Sequence, residues 1–365
     1  MGSDQVGRGT FQQTRNTLNL WPPSSLNGDL SLSRRTLFTE ARTATVVHGN
    51  WNYKMRNRLV IANEKSGKSL AFETILEQME REELTQILRL SRDVNLNEVV
   101  RKAVVDDKCR LVAAAGGDGT VNVVVNAIMC LPAELRPRLA IIPIGTANDF
   151  AGTLLISDDN QQVVDSMVDG EFVPIDVVRI RAAGFERFFA NVAAGGNSVE
   201  VSESITDDIK AMWGPLCYLR GAIGVLGSMK TFRIQATMDD EVLEVESWGV
   251  LVANGRTNAG RIQIAPLASP TDGLLDVIVI KNGDLLDMIE IASQTLFSSL
   301  LESPQVVFRQ VRKLQLQSTP SMRFTLDGEV IDEVPIEFEI VPGAIDMLVG
   351  ARFQDEYMAV SKFAS

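Results

Sequence analysis

The sequence predicts an α/β protein: a nucleotide-binding domain built on a parallel sheet, followed by a mostly antiparallel, β-rich domain. Three observations carry this. Short apolar runs (Leu59-Val60-Ile61-Ala62, Leu111-Val112-Ala113-Ala114-Ala115 and Leu139-Ala140-Ile141-Ile142) alternate with segments of helical periodicity, as strands buried on both faces of a parallel sheet do. Each run ends in a polar or glycine-bearing loop that leads into a helix, and ligands on such sheets sit at the carboxyl ends of the strands. Beyond about Phe172 the pattern becomes one of alternation, as in Phe232/Ile234/Ala236 against Arg233/Gln235, which marks half-buried antiparallel strands.

The bulk properties narrow the function classes. At 365 residues the chain is long enough for two domains. A formal charge of −12 argues against nucleic acid as the main partner. The charge is uneven: residues 1–58 hold eight basic and three acidic residues, leaving the acidity to the remainder. Cys109, Cys130 and Cys217 are odd in number and lack ligand-like spacing, so a disulfide framework is not expected and a reducing, cytoplasmic setting fits. His48 is the only histidine, which removes histidine-dependent triads and the usual zinc sites. No run of about twenty apolar residues is free of charge. The nearest, Ala211–Met229, contains Arg220, Pro215 and four glycines.

Residues 1–57 are rich in Ser, Thr, Asn and Arg and show no sustained periodicity. They read as a disordered or targeting leader, with organellar targeting as the alternative. From Arg58 the chain becomes regular. A strand at Leu59–Ala62 is followed by a loop and a helix over Leu70–Met79, a strand over Thr85–Leu90 and a helix over Leu96–Val105. The run Leu111–Ala115, the turn Gly116-Gly117-Asp118-Gly119-Thr120 and a helix over Val121–Met129 come next. Residues 58–171, rejoined by roughly 344–365, form the expected nucleotide-binding domain, and 172–343 the second. In the latter, strands are expected at Val173–Ile180, Phe185–Val192, Thr231–Met238, Val242–Val252 and Leu274–Ile280. Asp239-Asp240 and Asn282-Gly283 supply turns, and helices are inserted near 203–229 and 284–300.

Three strand-end loops carry the chemistry. In Gly116–Thr120 the glycines let backbone approach a phosphate closely, and N–H groups at a helix start bind anions. Asp118 cannot bind phosphate directly, but it can orient the turn or hold a magnesium-bound water. Gly145-Thr146-Ala147-Asn148-Asp149 opens another helix, with Thr146 or Asn148 as an ordinary cap if no ligand is involved. Ala62-Asn63-Glu64-Lys65-Ser66-Gly67-Lys68-Ser69 nearly matches the P-loop spacing, but Ala62 replaces the first glycine. It is expected to add a second backbone contact to the same nucleotide.

Gly116–Thr120 followed by Asn122 and Asn126, then Pro143-x-Gly-Thr-x-Asn-Asp-Phe-Ala over 143–151, resembles the diacylglycerol kinase catalytic-domain family. The family includes bacterial soluble lipid kinases and the sphingosine and ceramide kinases. The first motif is shared with NAD kinases and phosphofructokinases, whereas the second is far more specific to lipid kinases. The resemblance runs from about Arg58 to Gly350 and implies an NAD kinase/diacylglycerol kinase-like fold with a cleft between two domains.

The resemblance also implies roles for residues. Asp327, in Phe324-Thr325-Leu326-Asp327-Gly328-Glu329, matches the family's proposed general base, with Glu329 in support, although Asp-Gly between apolar residues is also a common hairpin turn. Ser269-Pro270-Thr271-Asp272-Gly273-Leu274 matches a segment that holds a structural magnesium in bacterial members. The Asp272 side chain and the carbonyls of Ser269 and Leu274 would be its ligands, an oxygen set suited to a hard cation; an ordinary Asp-Gly turn is the plainer alternative. Val123 stands where many members carry an acidic residue. Trp213–Gly221 resembles a segment near the lipid-facing cleft, and reads either as an interfacial helix or as a packed one.

The function expected is therefore an ATP-dependent lipid kinase. ATP is to be held by Asn63, Ser66, Gly67, Gly116, Gly117, Asp118, Gly119, Thr120, Asn122, Gly145, Thr146 and Asn148, with Mg2+ offsetting phosphate charge and Asp327 taking the proton from a lipid hydroxyl. A kinase of a soluble acceptor such as NAD and a non-catalytic lipid or nucleotide sensor are the alternatives. Peripheral membrane contact goes with a lipid substrate, no nucleic acid partner is expected, and a homodimer is among the assemblies the sequence allows.

Overall fold

The computed structural model describes residues 58–63, 70–81, 85–91, 93–199, 229–258, 260, 262–284, 287, 290, 291, 294, 300–326, 329–331 and 336–361. The leader, Glu64–Ser69, the 203–228 insertion with Trp213–Gly221, and Asp327-Gly328 lie outside the described residues.

The first half alternates as the apolar runs require. The strands are β1 (Arg58–Ala62), β2 (Thr85–Arg89), β3 (Leu111–Gly116) and β4 (Arg138–Pro143). Between and after them come the helices α1 (Leu70–Glu80), α2 (Leu96–Val105), α3 (Asp118–Met129), α4 (Asp149–Thr153) and α5 (Asn160–Asp169). The strands are parallel in the order β2-β1-β3-β4. Helix α2 packs on α3, and α1 on α5, as right-handed crossovers on opposite faces of this strand order require. Every residue of β3 is buried, hence its unbroken apolar sequence.

The second half is antiparallel. Its strands are β5 (Phe172–Ala182), β6 (Phe185–Phe189), β7 (Val192–Gly196), β8 (Phe232–Met238), β9 (Glu241–Ala253), β10 (Thr257–Asn258), β11 (Ile262–Gln263) and β12 (Leu275–Lys281). There follow β13 (Val306–Val311), β14 (Lys313–Thr319), β15 (Phe324–Leu326), β16 (Glu329–Ile331), β17 (Ile336–Leu348) and the terminal helix α6 (Phe353–Ser361). The expected fold class is borne out.

Two differences from the sequence reading have clear causes. The single strand expected over Phe185–Val192 is two: β6 pairs with β5, and β7 pairs with β9 and β15. The break falls at Ala190-Asn191, whose backbone and side-chain groups bond to Asn254, Gly255, Thr153 and Thr257 instead of a neighbouring strand. Helix α5 was not expected. Its apolar face is only Val163, Val164 and Met167, and its start is fixed by the Asp159 side chain, which accepts from the N–H groups of Gln161 and Gln162.

Strand β17 joins the halves. Its first part pairs with β14 and β5; its last part still pairs with β5 while Met347 lies parallel to Leu139 of β4. The register shifts between Val341 and Ile345, where Gly343 takes φ 54°. Asp176 of β5 holds this bend. Its two carboxylate oxygens accept from the N–H groups of Gly343 and Gly273, each at 2.7 Å, and its own N–H donates to Pro270 O at 2.8 Å. Asp176 is buried while Gly343 is exposed and Gly273 half-buried, so the loss is that of two hydrogen bonds to a carboxylate, each worth about 1.5–3 kcal/mol at most. Asp176→Ala is therefore expected to lower unfolding free energy by roughly 2–5 kcal/mol, read from a denaturant midpoint. An unchanged midpoint would remove this clamp from the account.

Candidate nucleotide and acceptor site

Because β1, β3 and β4 run parallel, with Ala62 beside Ala115 and Gly116 beside Pro143, their three loops start at one level of one sheet edge. The loops are bonded to one another. Asn63 N–H donates to Ala115 O at 3.0 Å, and its Nδ2 donates to Thr120 Oγ1 at 3.1 Å. Ile144 N–H donates to Gly116 O at 3.2 Å. Asn148 closes its own loop: Gly145 N–H donates to its Oδ1 at 2.9 Å, and its Nδ2 returns a bond to Gly145 O at 2.8 Å. Asn148 takes φ 51°, a left-handed conformation that asparagine tolerates.

The glycines meet where backbone touches backbone. A Cβ on Gly117 would lie 3.2 Å from Gly145 Cα, and one on Gly145 would overlap Gly117 Cα and come within 2.7 Å of Asn148 Oδ1. A Cβ on Gly119 would meet nothing within 4 Å. Gly119 and Thr146 are the exposed members of their loops. Helix α3 begins at Asp118, three residues earlier than its apolar periodicity suggests, with Gly117 as its cap.

Asp118 acts on the third loop. Its Oδ2 accepts from Asp149 N–H at 3.2 Å and its Oδ1 from Phe150 N–H at 3.0 Å. The carboxylate thus satisfies two donors at the start of α4 that the helix itself leaves unpaired. Asn122, buried, donates from Nδ2 to Phe188 O at 3.3 Å. Asn126 makes a closer pair there, donating to Phe188 O at 2.8 Å and accepting from Phe188 N–H at 2.9 Å. The amide takes the place of a neighbouring strand and ties α3 to β6.

Asp149 lies within the 143–151 motif, and the structure gives it a bridging role. Its carboxylate Oδ1 accepts from Gly260 N–H at 3.0 Å, and its carbonyl from Thr257 Oγ1 at 2.7 Å. Thr153 donates from its hydroxyl to Asn191 Oδ1 at 3.1 Å. Asn254 donates from Nδ2 to Ala190 O and Asp176 O. This buried network seats α4 on the second half of the chain. The turn-forming dipeptide Asn254-Gly255, set between apolar runs, was the available signal: a Cβ on Gly255 would come within 2.8 Å of Thr153 Oγ1.

The hairpin around Asp327 is described up to its edges. β15 pairs with β16, Leu326 opposite Glu329, and with β7, where Leu326 faces Ala193. Ala193 is two residues from Asn191, which holds Thr153 of α4. Phe324, fully buried, anchors β15, its ring 5.4 Å from that of Phe338. Ser66 and Gly67 lie outside the described residues, so only Asn63 of the first loop is placed beside the other two.

The turn at 269–274 lies elsewhere, beside the Asp176 clamp. Leu274 N–H donates to Asp272 Oδ1 at 2.9 Å, and Asp272 N–H to Ser269 O at 3.4 Å. Asp272 stands at the surface, yet the protein around it pushes its carboxyl up to about 6, and nearby Asp176 adds to the shift. Deeper in, burial pushes Asp276 up to about 7, with Asp272 adding to it. Its Oδ1 accepts from Gln310, while its Oδ2 is buried without a partner. Among the described residues no group of three or more acidic, histidine or cysteine side chains converges as a metal cage. The expected set needs only one carboxylate with two carbonyls. Its all-oxygen chemistry, in a locally anionic neighbourhood, fits a hard cation. Among the described residues, no helix is long and apolar enough to cross a membrane.

Comparisons with known proteins agree with this geometry. Residues 57–180 match the diacylglycerol kinase catalytic domain, and residues 190–349 the YegS C-terminal NAD kinase beta sandwich-like domain. The chain is 30% identical over 229 residues to the diacylglycerol kinase of Bacillus subtilis (strain 168), covering 62% of this chain and 74% of that protein. It is 27% identical over 288 residues to the diacylglycerol kinase of Staphylococcus carnosus (strain TM300), covering 78% and 92%. A crystal structure of a diacylglycerol kinase from Bacillus anthracis str. Sterne superposes with a TM-score of 0.67 at 25% identity, over 82% of this chain and 98% of that one. Another crystal structure from the same strain gives 0.70 at 25% identity, over 82% and 97%.

Proposed function

Because the chain belongs to the diacylglycerol kinase catalytic-domain family, we propose that it transfers the γ-phosphate of ATP to a lipid hydroxyl, with diacylglycerol or a related lipid as acceptor. The observation that carries this reading is the bonding of the second and third strand-end loops through Gly117, Gly145 and Asp118.

The phosphates rest on backbone N–H groups of the Gly116–Thr120 and Gly145–Thr146 loops other than those of Thr120 and Gly145, which donate to Gly117 O and Asn148 Oδ1, with Asn63, Ser66 and Gly67 along the same edge. Asp118 keeps the turn and α4 in register, and Asn148 closes its loop on Gly145. Asp327, following Leu326 on the hairpin, accepts the proton as the lipid oxygen attacks the γ-phosphorus and the bond to the β–γ bridging oxygen breaks, releasing ADP; Glu329 supports it. Magnesium, when bound, offsets charge on the phosphates, and a second ion on Asp272 with the Ser269 and Leu274 carbonyls would brace the 269–274 turn. Phosphoryl transfer draws mainly on such positioning and charge stabilisation.

Because backbone groups hold the phosphates, Lys68→Ala is expected to weaken nucleotide binding less than about tenfold. Abolished binding would restore the P-loop reading. The acceptor is tested by offering labelled ATP with diacylglycerol in mixed micelles and, separately, with NAD. Label in the lipid alone is expected, and label in NAD alone would transfer the site to a soluble acceptor. The β-sandwich match to an NAD kinase-like domain is what keeps that second reading in view.

A further inference from the structure

Helix α4 is five residues long, too short to hold itself. Its position is set by what bonds to its two ends. At its start stands Asp118 of the phosphate turn, accepting from Asp149 and Phe150 N–H. At its end stands the C-terminal helix. Tyr357 of α6 donates its hydroxyl to Thr153 O at 2.9 Å, taking up one of the carbonyls that a helix end leaves unpaired. Burial pushes the Tyr357 hydroxyl pKa upward, so it stays protonated and donates.

Tyr357 is itself held. The Arg256 guanidinium lies 3.9 Å from the centre of its ring, a cation–π arrangement strengthened by removal from water. The same side chain, 7% exposed, donates from Nε to Ala268 O at 2.8 Å and from Nη1 to Glu356 Oε1 at 3.3 Å. Next to Arg256, Thr257 donates to the carbonyl of Asp149 at 2.7 Å. The last helix of the chain and the segment after β9 thus grip α4 together, from 204 and 108 residues further along the sequence.

We propose that Tyr357 and Arg256 are positioning residues for the nucleotide site: they fix the end of α4, and α4 through its first two N–H groups fixes Asp118 and the phosphate turn. The inference rests on the reading of that turn as the ATP site. Its effect falls on nucleotide affinity, because the turn touches the phosphates before and during transfer, and little on the acceptor.

Tyr357→Phe tests it, since the ring and its stack on Arg256 remain and only the hydroxyl goes. Amide exchange over residues 145–155 of the full chain, without nucleotide, is expected to quicken about fivefold, the worth of one hydrogen bond. ATP affinity and KM for ATP are expected to worsen by a similar factor of about five, with kcat changed less than about twofold and KM for the lipid unchanged. Arg256→Lys keeps the charge but loses the planar stack, and moves the same quantities in the same direction. Wild-type exchange over 145–155 in Tyr357→Phe, or unaltered ATP affinity, overturns the inference. A wild-type chain that binds no ATP overturns instead the reading beneath it, while the exchange result still stands on its own.

Discussion

Asp327→Ala is expected to lower turnover at least about a hundredfold, the usual loss on removing a general base, with folding retained. The fold should tolerate the change because the hairpin is anchored next to it, not at it. Phe324 is buried against Phe338, and a Cβ on Gly195 would come within 2.5 Å of the Phe324 ring, so β7 and β15 leave no slack between them. Three consecutive residues of β15 pair with β7 and three with β16. Removing a carboxylate beyond Leu326 leaves all of this in place. The thermal midpoint should therefore stay near that of the wild type, and KM for ATP should change little, since the phosphates are held elsewhere. Near-normal turnover in a well-folded Asp327→Ala protein would take Asp327 out of the mechanism.

Gly145→Ala should be as damaging, for a different reason. The added methyl would overlap Gly117 Cα and crowd Asn148 Oδ1. Gly117 Cα is backbone and cannot swing away, and Asn148 Oδ1 is held by the two bonds between Asn148 and Gly145, so the two loops must part. Overpacking of this kind costs about 1–3 kcal/mol, and the N–H groups meant for the phosphates move with the backbone. A loss of ATP affinity of about a hundredfold is expected, from a displaced set of charge-assisted bonds. Gly119→Ala is the companion. Its Cβ meets no neighbour, so stability should be unchanged while nucleotide binding falls, because the methyl stands where the turn faces its ligand. Equilibrium nucleotide titration beside denaturant unfolding separates the two variants. If Gly145→Ala bound ATP normally, the contact between the loops would be incidental.

Much of the first half was legible because buried parallel strands leave an unbroken apolar signature and end in turns. Leu111–Gly116 and Arg138–Pro143 are such strands, and helix α2 falls on its expected residues, Leu96–Val105. The three loops were legible as a group because parallel order places strand ends together. What was not legible depends on partners far along the chain. Asn191 interrupts what reads as one strand because it bonds to Thr153 and Thr257, and nothing local announces that. Asp118 reads as a ligand-side carboxylate, yet it caps a helix thirty-one residues later. The Asp176 clamp needs Gly273 and Gly343, which lie 97 and 167 residues away. Strand β17 carries no sequence mark of its double allegiance, since an alternating pattern says which face is buried but not which neighbours lie beside the strand.

Val123, three residues beyond the turn and half-buried on α3, stands, by the resemblance drawn from the sequence, where many members of the family carry an acidic residue. If that carboxylate were indispensable, this chain would bind nucleotide without transferring phosphate. Incubating the wild-type chain and Asp327→Ala with γ-labelled ATP, magnesium and a total lipid extract, then identifying the labelled product, addresses this and the central claim together. The account predicts a labelled phospholipid from the wild type and at least about a hundredfold less from the variant. Magnesium-dependent ATP binding with no label in any lipid, from a wild-type chain that is folded, would contradict it.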